Sequence, residues 1–105
     1  MNPIIVTISV DTNETALKIA QLLIEKKLAA CVQISSEIKS VYRWKNDIEV
    51  DNEYICNAKT DKRLFKKIVS QVSKIHPYET PEIIATEIIE IAPDYKKWLQ
   101  QNLIT

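Results

Sequence analysis

Residues 29–58 read AACVQISSEIKSVYRWKNDIEVDNEYICNA, two runs of alternating residues joined by a polar turn. The even positions of the first run, which ends at Trp44, are mainly apolar or aromatic, and those of the second run include Ile48, Val50 and Tyr54. A period of two is typical of strands with one apolar face. The segment therefore predicts a long antiparallel β-hairpin.

The turn decides which side chains share a face of the hairpin, because a shift of one residue moves every side chain to the other face. A two-residue loop at residues 46–47 would put the two apolar sets on opposite faces. We therefore predict a three-residue loop at residues 45–47, or an equivalent bulge. Ser35 and Ser36 are the candidate position of a bend or bulge. The predicted pairs are Trp44 with Ile48 and Tyr42 with Val50.

The hairpin is too long for the sheet of a small domain. The sixteen residues from 29 to 44 would span about 50 Å in extended conformation, so the end that carries Tyr42 and Trp44 should project beyond the sheet. An exposed apolar patch of this kind usually marks an interface, which predicts self-association. The alternative is a C-terminal helix that folds back over the patch.

The rest of the chain alternates between strands and helices. Residues 3–10 form a first strand, one helix starts from a cap at Asp11, and a second starts from a cap at Asp61. A last strand at residues 82–91 and a short helix from Tyr95 complete the chain. The order βαββαβ predicts a single α+β domain over residues 1–105. It would be a ferredoxin-like fold with a four-stranded antiparallel sheet, two helices on one face and a C-terminal helix.

Composition narrows the function classes that fit this chain of 105 residues. Its formal net charge is zero, which argues against a nucleic-acid surface, and it contains no glycine, which excludes glycine-rich phosphate loops. No apolar run is long enough to span a membrane, and we recognise no signal peptide. Cys31 and Cys56 have opposite parity, so we expect no disulfide between them. The expected location is cytoplasmic.

The only histidine lies in a proline-stiffened connector, HPYETPE, at residues 76–82. Imidazole beside carboxylates suits borderline divalent ions such as copper, zinc or nickel, which makes His76, Glu79 and Glu82 candidate metal ligands. The spacing of these three residues does not ensure that their side chains meet at one metal ion. The alternative is structural, with the His76 ring bonded to a backbone group while the prolines aim the last strand.

Basic and acidic side chains surround the hairpin turn. Arg43 and Lys45 could bind an anion, but we favour ion pairs with the acids of the facing strand, because opposite charges stabilise paired strands. No serine or cysteine lies in a nucleophile motif, and no two carboxylates form a recognisable general acid and base. We therefore expect no enzymatic activity. The facing acids are Glu49, Asp51 and Glu53.

Three motifs together resemble one family. LAACVQI at residues 28–34, YRWK at residues 42–45 and HPYETPEII at residues 76–84 look like those of the CutA divalent-cation tolerance family, and the resemblance covers almost the whole chain. It implies a tight homotrimer, similar in architecture to PII signalling proteins, in which long hairpins reach onto neighbouring subunits. It also implies tolerance to divalent metals, chiefly copper, with no required cofactor and no established catalytic activity.

Two positions depart from members discussed as copper binders. Those members can carry a cysteine in the first strand and a second histidine before His-Pro, where this chain has Ile8-Ser9 and Ile75. These differences weaken a soft-metal site. They leave His76 and Glu82 as the best remaining ligands, with Glu79 as a third.

Three functions are therefore considered. The first is a trimeric protein of metal tolerance that binds divalent cations weakly. The second is a PII-like sensor that binds a small anionic effector at the subunit clefts. The third is an enzyme or an RNA-binding module on the same fold, and RNA binding is disfavoured because the strand at residues 53–58 lacks the aromatic pattern that stacks bases.

Overall fold

A computed structural model describes the whole chain, residues 1–105, as a sheet of antiparallel strands with helices on one face. The elements are β1 (Pro3–Val10), α1 (Asn13–Glu25), β2 (Cys31–Ile34), β3 (Ile38–Trp44), β4 (Asp47–Asp61), a 3-10 turn (Lys62–Leu64), α2 (Phe65–Ser73), β5 (Ile83–Glu87) and α3 (Pro93–Gln101). Strands β2, β4, β1 and β5 lie side by side in that order, and β3 continues beyond β2 along the free half of β4. This is the predicted ferredoxin-like arrangement.

Side-chain caps set where the first two helices begin. The predicted cap at Asp11 is one residue early, because Thr12 caps α1 and its Oγ1 accepts a hydrogen bond from the Thr15 N–H at 3.0 Å. Asp61 caps the turn before α2, as predicted, and accepts from the Arg63 N–H at 3.3 Å. Aspartate and threonine can both accept a hydrogen bond from a free N–H of the first helical turn, so the sequence did not show which of Asp11 and Thr12 caps α1.

The core lies between one face of the sheet and the helices. The even-numbered residues of β1, from Ile4 to Val10, are buried and pack in one cluster with α1, α2 and the end of α3. The opposite face of the sheet carries polar side chains such as those of Thr7 and Asn57. There Thr7 Oγ1 donates to Asn57 Oδ1 across β1 and β4 at 2.9 Å.

β5 is shorter than the strand predicted at residues 82–91. Its only neighbour is β1, and its last residue, Glu87, already faces Ile4. The Ile88 N–H donates one further bond to the Pro3 carbonyl at 3.0 Å, and Pro3 is where β1 begins. The strand ends because its neighbour ends.

The predicted three-residue loop of the hairpin is wrong. Trp44 faces Asp47, so the turn consists of Lys45 and Asn46 alone. Both residues have left-handed backbone conformations, with φ of 49° and 73°. Two such residues in a row are typical of the type I′ turn, whose twist matches that of a two-residue hairpin. Lysine adopts this conformation rarely, so the residue types gave little indication of the turn.

A bulge in the first strand of the hairpin explains why the parity argument failed. The register against β4 changes by one between Ile34 and Ile38, so residues 35–37 lie opposite only two residues of β4. Ser35 holds this bulge in place: its N–H donates to the Ile55 carbonyl, and its Oγ accepts from the Ile55 N–H, each at 2.9 Å. The predicted bulge position is confirmed. Its effect is to move every side chain of β3 to the opposite face.

The bulge and the turn give the projecting hairpin two unlike faces. One face carries Tyr42 and Trp44 together with the acids at positions 47, 49, 51 and 53 of β4, and the other carries Arg43 with Val41, Ile48 and Val50. Arg43 faces Ile48, so the predicted ion pairs across the hairpin are wrong. The salt bridges of the structure, Glu14–Lys18 and Asp61–Arg63, both lie outside the hairpin.

The hairpin projects from the domain, as its length predicts. The subunit extends 45 Å in one direction but only 26 and 22 Å in the other two. Tyr42 and Trp44 are 41% and 39% exposed, while α3 buries Leu99 against the core. The C-terminal helix therefore does not fold back over the aromatic end. None of the three α-helices has both the length and the apolar character needed to cross a membrane.

Candidate functional site: a cleft between the hairpin and the His-Pro connector

His76 anchors the connector to β1 through both of its ring nitrogens. The Ser9 carbonyl can only accept, so Nε2–H donates to it, at 2.8 Å. Nδ1 accepts from the Tyr78 N–H at 3.1 Å, which makes the ring the neutral tautomer. The ring is buried, and the Tyr78 ring lies edge-on to it with the centroids 4.8 Å apart. This geometry is that of the structural alternative, because neither nitrogen has a free lone pair for a metal.

Tyr78 links His76 to the strand β4 of the hairpin. Its hydroxyl donates to Oε2 of Glu53 at 2.7 Å, and Glu53 is only 6% exposed. Burial, followed by the bond to Glu53, raises the pKa of Tyr78 above its ordinary value. The phenol therefore stays protonated and acts as a donor. It holds the Glu53 carboxylate in place beside the connector.

Tyr42 makes a similar phenol–carboxylate pair on the projecting part of the hairpin. Its hydroxyl donates to Asp51, which lies diagonally across the strand pair on the same face. That hydrogen bond is the main cause that raises the pKa of Tyr42 to about 12. The two tyrosines therefore stay neutral donors, and each fixes one carboxylate of β4.

These side chains line a cleft with a volume of about 640 Å³ between the hairpin and the connector. Its floor is the face of the hairpin that carries the aromatic rings and the acids of β4, and the connector forms its other wall. No lysine, arginine or histidine side chain lines it. The cleft therefore combines three aromatic rings with five carboxylates, which are Glu49, Asp51, Glu53, Glu79 and Glu82.

The predicted metal ligands do not form one cluster. Glu79 and Glu82 line the cleft, whereas His76 is turned toward the backbone of β1. No three His, Cys, Asp or Glu side chains converge closely enough to hold a metal ion together. Metal binding by His76, Glu79 and Glu82 therefore stays a prediction, to which the structure adds the positions of the two glutamates.

Three further carboxylates of the cleft were missed as site residues by the sequence reasoning, which paired them with bases instead. Glu49, Asp51 and Glu53 alternate along β4, so they share a face in any register. That alternation was the available signal. What the sequence did not show is that Tyr42 and Trp44, rather than the bases, occupy the same face.

The two cysteines lie apart from the cleft, on opposite faces of the sheet, and both are free thiols. Cys56 is fully buried beneath α1, with Sγ 3.7 Å from the Ala16 carbonyl. Burial raises the pKa of its thiol to about 11, so it stays protonated and unreactive at neutral pH. Cys56 is a core residue, and no disulfide joins the two cysteines, as expected.

Comparison with known proteins assigns the fold and its motifs to a family. The model of the CutA1 divalent ion tolerance protein matches residues 4–102, almost the whole chain. The chain belongs to the CutA1 divalent ion tolerance family. The CutA divalent-cation tolerance protein of Thermus thermophilus is 40% identical over 98 residues, which are 93% of this chain and 95% of that protein.

Solved CutA structures show the same fold. CutA1 from Oryza sativa superposes with a TM-score of 0.96 at 33% identity, covering 99% of this chain and 95% of that one. The periplasmic divalent cation tolerance protein CutA from Archaeoglobus fulgidus gives a TM-score of 0.92 at 34% identity, covering 95% of this chain and 97% of that one. The family is named for tolerance to divalent ions and is not a known enzyme family.

Proposed function

We propose that this protein acts in divalent-cation tolerance, as a homotrimer that binds divalent cations weakly, copper among them. The observation that carries the proposal is the match to the CutA1 family over residues 4–102. The cleft supports it, because Glu79 and Glu82 lie there among carboxylates that no basic side chain neutralises. A cation is the kind of ligand that such a lining attracts.

Weak binding follows from the donor atoms on offer. Carboxylate oxygens are hard ligands that suit magnesium, calcium or manganese, whereas copper prefers imidazole and thiolate. The imidazole of His76 becomes a ligand only if a hydrogen bond, to Ser9 or to Tyr78, is first broken. Of the three predicted ligands, Glu79 and Glu82 can bind a cation through their carboxylate oxygens without breaking a hydrogen bond of His76.

The same lining bears on the alternative of a small anionic effector. Five carboxylates without a lysine or arginine among them would repel an anion from this cleft. An anionic effector would have to bind at a surface formed only between subunits. We therefore do not propose an anionic effector for this cleft.

The projecting hairpin supports the homotrimer. Val41 and Ile48 are each 67% exposed on its aliphatic face, and Trp44 is exposed on the other. A monomer rarely leaves apolar side chains of two faces of one hairpin in water. In the proposed trimer each hairpin lies against a neighbouring subunit, and the cleft opens toward a subunit boundary.

We further propose a cytoplasmic location and no enzymatic activity. The free thiols of Cys31 and Cys56 suit a reducing compartment. The Archaeoglobus fulgidus relative is described as periplasmic, so cell fractionation with an antibody to the protein is the measurement that decides the location.

Calorimetric titration with copper and with magnesium tests the cation site. We expect weak, saturable binding that falls in the double variant Glu79→Gln/Glu82→Gln and is unchanged in the matched control Glu90→Gln, an exposed glutamate outside the cleft. Binding that is equal in all three proteins would remove the two glutamates from the site. Growth in excess copper of a host that lacks its own CutA protein, with and without this chain, tests the tolerance function.

A further inference from the structure

We propose that the two faces of the projecting hairpin bind each other between neighbouring copies of this chain, with Arg43 of one copy paired with Glu49 of the next. The proposal rests on the homotrimer proposed above and adds which surfaces meet and which charges pair. The acidic face is the one that carries Tyr42, Trp44 and the acids of β4. The basic face is the opposite one, which carries Arg43.

The two faces of the hairpin carry opposite charges. In the register of β3 against β4, every charged side chain of the acidic face is a carboxylate, whereas those of the basic face are Lys39 and Arg43. A contact between two acidic faces, or between two basic faces, would bring like charges together, which disfavours association. The charges therefore favour an acidic face against a basic face.

Arg43 lacks an acidic partner within its own subunit. The chain has two arginines, and the other, Arg63, is bonded to Asp61 and to the Ile104 carbonyl. Arg43 donates only to the Asn46 carbonyl in the turn, at 3.4 Å, and forms no salt bridge. Arginine is one of the residue types that most often anchor protein interfaces. Arg43 is therefore the cation of the hairpin that is free to pair with another copy.

Glu49 is the carboxylate that fits this role on the acidic face. It is exposed, lies directly across from Tyr42, and has no basic side chain of its own subunit within salt-bridge distance. Asp51 and Glu53 already accept hydrogen bonds from tyrosine hydroxyls. A guanidinium can bond both oxygens of one carboxylate, which fixes the orientation of the two copies as well as holding them together.

Both faces also carry apolar side chains that the subunit leaves exposed. These are Val41, Ile48 and Val50 on the basic face and Tyr42 and Trp44 on the acidic face. A two-stranded hairpin alone is marginally stable in water, so packing the aliphatic side chains of one copy on the rings of the next stabilises both hairpins. Because the two surfaces differ, the contact is head-to-tail, and such contacts can close into a ring. A trimer is a ring of this kind.

The test is a pair of charge reversals in the intact protein. Arg43→Glu and Glu49→Arg each put like charges into the contact. Each should raise about tenfold the protein concentration at which half of the trimers dissociate, measured by light scattering in urea below the unfolding transition. The double variant restores opposite charges and should dissociate like the parent. Residues 43 and 49 lie on opposite faces of one hairpin, so this rescue cannot come from a pair within a subunit.

A matched control separates a specific pair from net charge. Arg43→Glu/Glu90→Arg has the same net charge as the double variant, but its second reversal is at an exposed glutamate outside the hairpin. It should dissociate as readily as Arg43→Glu alone. Circular dichroism at the same urea concentration shows that the variants stay folded, as expected for exposed positions. Equal dissociation of this control and the Arg43→Glu/Glu49→Arg variant would overturn the pair.

The outcomes for this contact and for the proposed function can be told apart. A parent protein that is a monomer at every concentration refutes the homotrimer and this contact with it. A trimeric parent whose dissociation neither reversal changes refutes the contact alone. Glu79 and Glu82 lie on the connector, outside the hairpin, so the copper titration tests the cation site independently.

Discussion

Replacement of His76 by alanine tests whether this residue supports the connector or binds a metal. The change removes the donor to the Ser9 carbonyl, at 2.8 Å, and the acceptor for the Tyr78 N–H, at 3.1 Å. Ser9 is 4% exposed and His76 is 8% exposed, so water replaces neither bond freely. An unpaired buried group costs about 1–3 kcal/mol. We expect His76→Ala to lower the free energy of unfolding by about 3 kcal/mol.

Two milder variants measure separately how much the hydrogen bonds of Nε2 and Nδ1 of His76 contribute to stability. Glutamine can place an N–H near the position of Nε2, and asparagine can place an acceptor oxygen near that of Nδ1. Each variant should therefore keep one of the two hydrogen bonds. His76→Gln and His76→Asn should each recover about 1 kcal/mol relative to alanine.

The assay is urea unfolding at one fixed protein concentration, because the stability of an oligomer depends on concentration. The same proteins are then titrated with copper in the folded state. The expected result is a large loss of stability with copper affinity nearly unchanged. A loss of stability below about 1 kcal/mol together with the disappearance of copper binding would refute the structural reading and make His76 a ligand.

Three further predictions concern the hairpin and its tyrosines. If the parent protein is the proposed trimer, Trp44→Asp should shift it toward smaller species in light scattering. A parent protein that is already a monodisperse monomer would contradict the proposed assembly. Lys45→Gly should raise the free energy of unfolding in urea by about 1 kcal/mol, because glycine relieves a left-handed residue. Destabilisation would instead favour the three-residue loop. The pKa of Tyr42 is raised from 10.0 to about 12, so unfolded tyrosines lose their protons first and stability should fall between those pH values. Tyr42→Phe should make that fall shallower than in the parent, and equal slopes would show that the pair with Asp51 does not contribute.

The order of elements was predictable because it depends on local patterns. Alternation in residues 3–10 and along β4 predicted strands, and the cap at Asp61 marked the start of the second helical segment. The terminal helix followed from its apolar spacing. These signals act over a few residues, so a single sequence carries them. The end of β5 was not predictable, because it depends on where β1 begins.

The candidate site was predictable only in part. The composition of the connector identified Glu79 and Glu82 as candidate site residues. The spacing of the connector could not show whether the His76 ring faces these glutamates or a backbone group. The hydrogen bonds of His76 involve Ser9, which is 67 residues away in the chain. A contact of that separation leaves no trace in local sequence spacing.

By itself the sequence determined the ferredoxin-like fold, the length of the hairpin and membership of the CutA1 family, because each rests on periodicity or on contiguous motifs. Only the tertiary structure decided what the hairpin faces carry. The bulge at Ser35 shifts the register of β3 against β4 by one residue relative to that of β2. The two-residue turn at Lys45 and Asn46 joins the strands in this shifted register. Since successive side chains of a strand point to opposite faces, that one residue put Tyr42 and Trp44 beside the acids and Arg43 on the opposite face.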